Sequence, residues 1–385
     1  MSARRFLRLT HGWIGAVVGL FVILVAGSGA SLAFMSEMFL AQYGDVLRAE
    51  APAPDAPYAD LDRIVAAADA AQGNGYSTMG VLMPHSRVPS VETAMAFGMD
   101  ASGADEPMIV SVDPWTAQAK GSFNLGDALG HEVIDFHYHL LLGDIGATFV
   151  AVLGILLVLF ALTGLWLWWP RAGGVWRKAK NPHVSGAGKH VWFRLHGWLG
   201  VWMAGLIVLF GLTGTAVARD EWFGPLLVQE DAHAPTGGIW ARQCGGQVSF
   251  GAAAAAAQRL YPDRHVTMIY AGPPGEPYQA MLKGAGDLNA MEGDVAAWVH
   301  PTCAGVVHAV DLGEGSAADR AGAMMFSLHG GYTFGNVVGD LLVVSTGLGL
   351  VFLTGSGLWV FFTRTLRSGR RQRRITVDEV LQPAE

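Results

Sequence analysis

Four long apolar windows alternate with two long, mostly polar segments along the chain. Because about 20 apolar residues form a helix long enough to cross roughly 30 Å of hydrocarbon, each window predicts a membrane-spanning helix. The polar segments, about Ser36–Gly130 and Arg219–Ala323, are each large enough for a small folded domain. The four apolar windows are Trp13–Met35, Ile145–Trp169, Val191–Ala218 and Val337–Phe362.

These patterns predict a four-helix membrane protein with two outer domains. With 51% hydrophobic and 15% charged residues, the composition is too apolar for an ordinary soluble protein and too polar for membrane helices alone. The first window continues too smoothly for a typical cleaved signal peptide, so we interpret it as a retained helix. The predicted helices occupy residues 1–35, 131–170, 190–218 and 324–363, the outer domains 36–130 and 219–323, and the basic loop and tail 171–189 and 364–385.

Charge predicts the orientation in the membrane. Basic clusters precede the first window, fill the link between the second and third windows, and follow the fourth. The positive-inside rule assigns all three clusters to the cytoplasm, so both termini are predicted to be inside. The polar segments carry 13 Asp and Glu against 4 Lys and Arg, and 12 against 6, which favours the opposite side. The clusters are Arg4, Arg5 and Arg8; Arg171, Arg177, Lys178, Lys180 and Lys189; and Arg364, Arg367, Arg370, Arg371, Arg373 and Arg374.

The only two cysteines, Cys244 and Cys303, both lie in the second outer segment. In an oxidising compartment they can form one disulfide, which would constrain the unfolded chain. Two unrelated buried thiols are an equally good interpretation. The sequence contains no cysteine motif for a metal, an iron–sulfur cluster or covalent haem attachment.

The two halves of the chain repeat short motifs in the same order. His11 lies in HGWIG and His196 in HGWLG. His137 in FHYHLLLG corresponds to His329 in SLHGGYTFG, and LTGLWLWW corresponds to LTGSGLWVFF. Because both halves start on the same side of the membrane, we predict a parallel tandem repeat with a pseudo-twofold axis along the membrane normal. Residues near that axis are then expected to meet their own counterparts.

The repeat therefore predicts two facing histidine pairs. The inner pair, His11 with His196, is expected at the cytoplasmic end, and the outer pair, His137 with His329, at the opposite end. Haem iron takes two axial ligands from opposite faces, and the cores of helical bundles house such cofactors. Small residues let a macrocycle approach the backbone, and arginines at the membrane edge suit haem propionates. The candidate glycines are Gly12, Gly15, Gly197 and Gly200, and the candidate arginines are Arg8 and Arg194.

Three further polar residues have open roles. His139 is the rival of His137 as the outer ligand, because the two lie about 200° apart around a helix and cannot both point inward. His131 is a candidate to line a site above the outer haem. Asp340 is expected roughly 16 Å deeper than His329 along one continuous helix. At that depth it is either paired or relays protons.

The chain resembles the PepSY-associated transmembrane (PiuB-like) family of bacterial inner-membrane proteins. The resemblance covers about residues 5–365 and rests on RLHGWLG, HxxLLLG, LTGLWLWWPR and a VDPxT turn, which is approximated by VHPT in the second outer segment. It implies two periplasmic α+β PepSY-like domains on the four-helix bundle. Within the family, the chain is most similar to FoxB-type reductases of ferrioxamine and related siderophores.

That similarity implies two b-type haems (iron protoporphyrin IX) with His11, His196, His137 and His329 as axial ligands. Electrons from a membrane quinol or a cytoplasmic reductase would reduce a periplasmic ferric siderophore, with a hydroxamate type suspected, and release Fe(II). The acidic outer segments suit cationic complexes. The expected partners are thus this siderophore, the donor and the lipid bilayer, without nucleic acid. Two alternatives are a non-enzymatic PepSY membrane module, for peptidase inhibition or assembly, and a permease for iron complexes.

Overall fold

The computed structural model describes residues 2–72, 75–84, 91–100, 107–170, 173–182, 189–227, 244–273 and 275–380. It divides into two compact units. The membrane unit comprises Met1–Ala30, Phe136–Ala218 and Leu341–Glu385, and the sheet unit comprises Ser31–Asp135 and Arg219–Asp340. Arg171 of the predicted basic loop lies outside the described residues, as do the side chains of the basic tail from 364 onward.

Eleven α-helices and eight strands make up the described part of the chain. The helices are α1 (Ala3–Leu32), α2 (Met35–Leu47), α3 (Leu61–Gln72), α4 (Leu129–His139), α5 (Gly143–Trp168), α6 (Val175–Lys180), α7 (Lys189–Ala218), α8 (Gly224–Leu227), α9 (Phe250–Leu260), α10 (Ala317–His329) and α11 (Asn336–Val380). The strands are β1 (Tyr76–Leu82), β2 (Ala94–Asp100), β3 (Met108–Val112), β4 (Ala119–Asn124), β5 (His265–Ala271), β6 (Tyr278–Lys283), β7 (Val295–Val299) and β8 (Val306–Asp311).

Four helices of the described chain are long and apolar enough to cross a membrane, as the hydrophobic windows predict. A helix satisfies its backbone polar groups internally, which a lipid environment requires. The candidate spans are Ala3–Leu32, Gly143–Trp168, His190–Ala218 and Val337–Thr363. The buried centre between them is formed by Ala26, Ala161, Met203, Ala204, Ile207, Leu350 and Leu353.

Small residues bring the membrane helices together at two crossings. Between α5 and α7, a Cβ atom added at Gly154 would lie 2.8 Å from the carbonyl oxygen of Gly211. Between α11 and α1, a Cβ atom added at Gly347 would lie 2.6 Å from the carbonyl oxygen of Ala26. Such close approach of two backbones is typical of small-residue contacts between membrane helices. Each crossing joins a helix of one sequence half to a helix of the other.

The sheet unit contains one antiparallel sheet in the order β4-β3-β2-β1-β5-β6-β7-β8. The halves of the chain meet where β1 pairs with β5, with Val81 opposite Ile269. The predicted α+β character is present, but the two polar segments share one sheet instead of forming two separate sheets. The physical reason is that each four-stranded half has an edge strand with unpaired backbone groups, and pairing the two edges satisfies both.

Both halves also share a hydrophobic core. On one face of the sheet, Ile64 of α3 and Ala253 of α9 are buried against strand residues of both halves, including Val81 and Ile269. On the opposite face, α2 is packed against a second cluster that contains Phe39, Leu47, Leu82, Met95 and Met268. The sheet unit therefore forms one body built from both polar segments.

The helices predicted at 131–170 and 324–363 are each divided in two, which corrects those boundaries. Leu140, Leu141 and Gly143 have positive φ angles of 52°, 57° and 57°, so α4 ends before α5 begins. Gly331 and Gly335, with φ of 82° and 77°, separate α10 from α11 in the same way. The apolar pattern HLLLG concealed the first break, because leucines continue a hydrophobic window without specifying its backbone.

This division changes the position of the outer candidates. His137 and His329 lie at the C-terminal ends of the short helices α4 and α10 rather than inside membrane-spanning helices. Asp340 lies near the start of α11, which begins at Asn336. The predicted depth of Asp340 below His329 along one continuous helix is therefore wrong.

Cys244 and Cys303 form a disulfide with a Cα–Cα distance of 5.0 Å, so the interpretation of these residues as two unrelated thiols is wrong.

The disulfide adjoins the VHPT turn. There the His300 ring accepts hydrogen bonds through Nδ1 from the backbone N–H groups of Thr302 and Cys303. His300 thus has the turn-forming role of Asp113 in VDPWT, whose carboxylate accepts from the two corresponding N–H groups.

Candidate metal centre

The structure brings His11 of α1 and His196 of α7 together. Their ring centres are 6.4 Å apart and their ring planes are perpendicular, at 89°. Both histidines belong to the membrane unit, and each lies in the HGW motif that is repeated along the chain. The sequence prediction that these two residues face each other agrees with this geometry.

Each imidazole of this pair is held through Nδ1. Thr163 Oγ1 of α5 lies 2.9 Å from His11 Nδ1. His196 Nδ1 lies 2.9 Å from the carbonyl oxygen of Leu353 and 3.2 Å from Ser356 Oγ, both on α11. Among the described residues, all hydrogen bonds of these two rings use Nδ1, and Nε2 is left available for a ligand.

The spacing of the two rings fits one shared metal ion. A metal-bound imidazole nitrogen lies about 2 Å from the metal. A five-membered ring with bonds of about 1.33 Å places that nitrogen about 1.1 Å from the ring centre. Two imidazoles on opposite faces of one metal therefore have ring centres about 6 Å apart. The observed distance of 6.4 Å is close to this value, so the spacing of the His11 and His196 rings is compatible with one iron held between them.

Two glycines that sequence reasoning missed contact these rings. A Cβ atom added at Gly357 would lie 3.1 Å from His196 Cε1, and one added at Gly164 would lie 3.7 Å from His11 Cε1. The predicted glycines have other neighbours. Added Cβ atoms at Gly12, Gly15, Gly197 and Gly200 would lie 3.3, 4.0, 3.2 and 3.7 Å from Phe361, Phe160, Trp168 and Leu353, respectively.

The predicted arginines lie at the surface, where Arg8 and Arg194 are both exposed. Arg4 contacts the C-terminal end of α5. Its guanidinium donates hydrogen bonds to the carbonyl oxygens of Trp166, Leu167 and Trp169 at the C-terminal end of α5. A cation at this helix end satisfies carbonyls that have no partner within the helix.

The outer candidate His137 is anchored in the same way as His196. Its Nδ1 lies 2.9 Å from the carbonyl oxygen of Val25 and 3.2 Å from Ser28 Oγ, both on α1. A Cβ atom added at Gly29 would lie 2.6 Å from His137 Cε1, so the ring lies directly on the helix backbone. Burial lowers the pKa of the His137 imidazole, although its hydrogen bond to Val25 raises it, so the neutral ring is favoured.

The remaining candidates are distributed over both units. The ring of His139, the rival of His137, contacts Tyr138 edge-on at 4.7 Å. His329 ends α10 and His131 lies in the first turns of α4, both in the sheet unit. Within the described ranges, no three or more His, Cys, Asp or Glu residues are grouped so that they could hold a metal ion.

A short dipeptide marks these contacts in the sequence. Beside each of the His11, His137 and His196 rings, one hydroxyl residue is followed directly by glycine, and we call these the hydroxyl–glycine pairs. They are Thr163–Gly164, Ser28–Gly29 and Ser356–Gly357, respectively. The contacts also correct the repeat alignment, because TGLW at Thr163 and SGLW at Ser356 occupy equivalent places beside His11 and His196.

Comparison with known sequences agrees with the architecture. No curated protein matches the chain. Residues 8–364 match the family described as PepSY-associated TM region, a span that begins within the first membrane helix, extends beyond the fourth candidate span and includes both polar segments. The four candidate spans and the antiparallel sheet fit such a membrane protein. The chain belongs to the PepSY-associated TM region family.

Proposed function

We propose that this protein is a di-haem b oxidoreductase of the bacterial inner membrane, which carries electrons across the membrane to reduce a ferric siderophore in the periplasm. The observation that carries the proposal is the His11–His196 pair, whose ring spacing of 6.4 Å fits two ligands of one iron. When bound, a haem supplies one-electron redox chemistry, and the protein supplies binding, position and electrostatics.

The proposed ligands act in two pairs. His11 and His196 hold the inner haem, and His137 and His329 hold the outer one, with His139 as the alternative to His137. A neutral imidazole binds a metal through the nitrogen that carries no proton, and the hydrogen bond at the other nitrogen decides which one that is. The Nδ1 contacts of His11, His196 and His137 support binding through Nε2.

We also propose that the chain is a parallel tandem repeat with both termini in the cytoplasm. Two observations support this organisation: the two small-residue crossings, at Gly154–Gly211 and at Gly347–Ala26, and the sheet order, in which equivalent strands lie at equal distances from the β1–β5 pairing. The three basic clusters, which precede the first span, lie between the second and third spans and follow the fourth, support the orientation. The sheet unit then lies in the periplasm.

The proposed acceptor is a ferric siderophore, probed most simply with a hydroxamate. Reduction of Fe(III) to Fe(II) weakens the hold of hard oxygen ligands on the iron, so a siderophore releases it. The polar segments that form most of the sheet unit are acidic, which favours cations and cationic complexes. The electron donor is a quinol or a cytoplasmic reductase.

The first test is the haem content of the purified chain, from a reduced-minus-oxidised absorption spectrum. We expect two haems per chain, and the loss of one when either member of a pair is replaced. A chain without a Soret band contradicts the proposal and favours the non-enzymatic PepSY module. If His139→Ala removes the outer haem and His137→Ala does not, the outer assignment is wrong. The variants are His11→Ala, His137→Ala, His139→Ala, His196→Ala and His329→Ala.

The second test is electron transfer in vesicles that contain the full chain. With a quinol as donor, we expect a ferric hydroxamate to be reduced, and a chelator specific for Fe(II) measures the product. His11→Ala abolishes this signal if the inner haem is required. Uptake of iron by the vesicles without any donor supports the permease alternative instead.

A further inference from the structure

We infer that Thr163 and Gly357 are positioning residues: Thr163 fixes which ring nitrogen of His11 carries the proton, and Gly357 fixes the orientation of the His196 ring, so the two members of the inner pair are fixed by different means. His196 depends on a helix carbonyl and on the absence of a side chain at Gly357. His11 depends on the hydroxyl of Thr163. The consequence for haem binding rests on the proposed function, whereas the fixed tautomer does not.

The nature of each partner decides where the proton is. A carbonyl oxygen only accepts hydrogen bonds, so a ring nitrogen at hydrogen-bond distance from it must carry the proton. Leu353 presents such an oxygen to His196 Nδ1, and Val25 presents one to His137 Nδ1, each at 2.9 Å. In the neutral rings Nε2 therefore has a lone pair, which is the form that binds a metal.

His11 reaches the same form through a hydroxyl. Thr163 Oγ1 donates its own proton to the carbonyl oxygen of Leu159 at 2.7 Å, within α5. Its oxygen is then the acceptor for His11 Nδ1, at 2.9 Å. Among the described residues, Thr163 is the one hydrogen-bond partner of the His11 ring. His196 differs, because Leu353 remains as an acceptor when the Ser356 hydroxyl is removed.

For the two glycines, the tighter contact is at His196 and the looser one is at His11. A methyl group at Gly357 would approach His196 Cε1 to 3.1 Å, which is tighter than ordinary contact, so the ring must shift. A methyl group at Gly164 would lie 3.7 Å from His11 Cε1, an ordinary van der Waals distance. The His196 ring thus requires glycine, and the His11 ring tolerates alanine.

These differences predict opposite orders of effect on haem affinity for the two hydroxyl variants and the two glycine variants of the full chain. Thr163→Val, which keeps the shape of threonine, is expected to weaken inner-haem affinity by about 10-fold or more, whereas Ser356→Ala has a smaller effect. For the glycines the order reverses: Gly357→Ala weakens haem binding and Gly164→Ala does not. Thr163→Ser restores the hydroxyl and is expected to bind haem as the wild type does.

The experiment has a haem arm and a haem-free arm. Haem titration and the midpoint potential of the inner haem are measured for each variant. In parallel, nitrogen NMR of isotope-labelled histidine in bilayers reports the tautomer of each ring in haem-free protein, with His11→Ala and His196→Ala to assign the signals. We expect the Nδ1-protonated form of His11 to become a mixture in Thr163→Val and to persist in Ser356→Ala and Thr163→Ser.

The outcomes separate this inference from the proposed function. If the wild type binds no haem but Thr163→Val changes the His11 tautomer, the proposed function fails and the positioning role stands. If the wild type binds two haems but the tautomers and affinities of Thr163→Val and Ser356→Ala are equal to those of the wild type, the positioning role is overturned. Equal losses in all four variants also overturn it, because they indicate a general packing defect.

Discussion

The two halves of the chain meet through paired strands in the sheet unit and, at the candidate haem site of the membrane unit, through two imidazole side chains. In the sheet, β1 pairs with β5, and Val81 lies opposite Ile269. In the membrane unit, the halves meet at His11 and His196, whose rings face each other. Backbone pairing is nearly independent of residue identity, whereas an imidazole pair requires two particular side chains. Substitutions are therefore expected to affect stability in the first region and chemistry in the second.

The largest effect on stability is expected at the β1–β5 pairing. Ile269 is fully buried there, and Ile269→Ala leaves a cavity between the halves. We expect the free energy of unfolding of the sheet unit to fall by about 2–5 kcal/mol, as measured by denaturant unfolding. Leu260→Ala, at a side chain that is 53% exposed, serves as the control and is expected to change it by less than about 0.5 kcal/mol. Equal effects of the two variants would contradict the shared core.

Reduction of the disulfide is expected to have the next largest effect. Loss of the Cys244–Cys303 bond frees a long loop in the unfolded chain and lowers the stability of the sheet unit by about 2–4 kcal/mol. Because the proposed inner-haem ligands His11 and His196 belong to the membrane unit, the inner haem is expected to stay bound in Cys244→Ser/Cys303→Ser. Loss of the inner haem in that variant would show that the two regions are not independent.

A glycine substitution at a helix crossing tests the membrane unit. Gly347→Ala places a methyl group 2.6 Å from the Ala26 carbonyl oxygen, so α1 and α11 must move apart. We expect a loss of about 1–3 kcal/mol, measured as a lower thermal melting temperature in detergent. Gly355→Ala on the same helix is the control, since its Cβ meets nothing within 4 Å. Alanine there is expected to be neutral or to stabilise the helix by up to about 1 kcal/mol.

The smallest effect is expected at Ser28. Ser28→Ala removes one hydrogen-bonding partner of His137, but the Val25 carbonyl oxygen remains 2.9 Å from Nδ1. We expect the free energy of unfolding to fall by about 0.5–1.5 kcal/mol. The His137 tautomer, measured by nitrogen NMR, is expected to stay unchanged. Gly29→Ala is the contrasting variant, because its methyl group would lie 2.6 Å from the ring and must displace it. A larger effect from Ser28→Ala than from Gly29→Ala would contradict this ranking.

Sequence reasoning predicted the features that follow from hydrophobic length and from the repeated HGW motif. The four apolar windows became the four candidate spans, because hydrophobic length alone decides which helices suit a membrane. The repeated HGW motif predicted that His11 and His196 meet, and they do. The haem that this pair is proposed to hold remains a prediction.

Features that depend on backbone geometry were missed. Nothing in the residues of β1 and β5 specifies that they pair with each other, because any two edge strands can pair. The breaks before Gly143 and Asn336 lie inside or beside apolar stretches that continue the hydrophobic pattern. The hydroxyl–glycine pairs were also missed, since serine, threonine and glycine are common wherever membrane helices pack.

The claim that His11 and His196 bind the same haem iron is tested most directly by comparing the two single variants with the double variant. We expect His11→Ala, His196→Ala and His11→Ala/His196→Ala each to retain one of two haems per chain, because a shared iron is lost only once. Haem stoichiometry, measured on purified full-length protein, decides this. A double variant that retains less haem than either single variant would contradict the shared site, since the two histidines would then bind different irons.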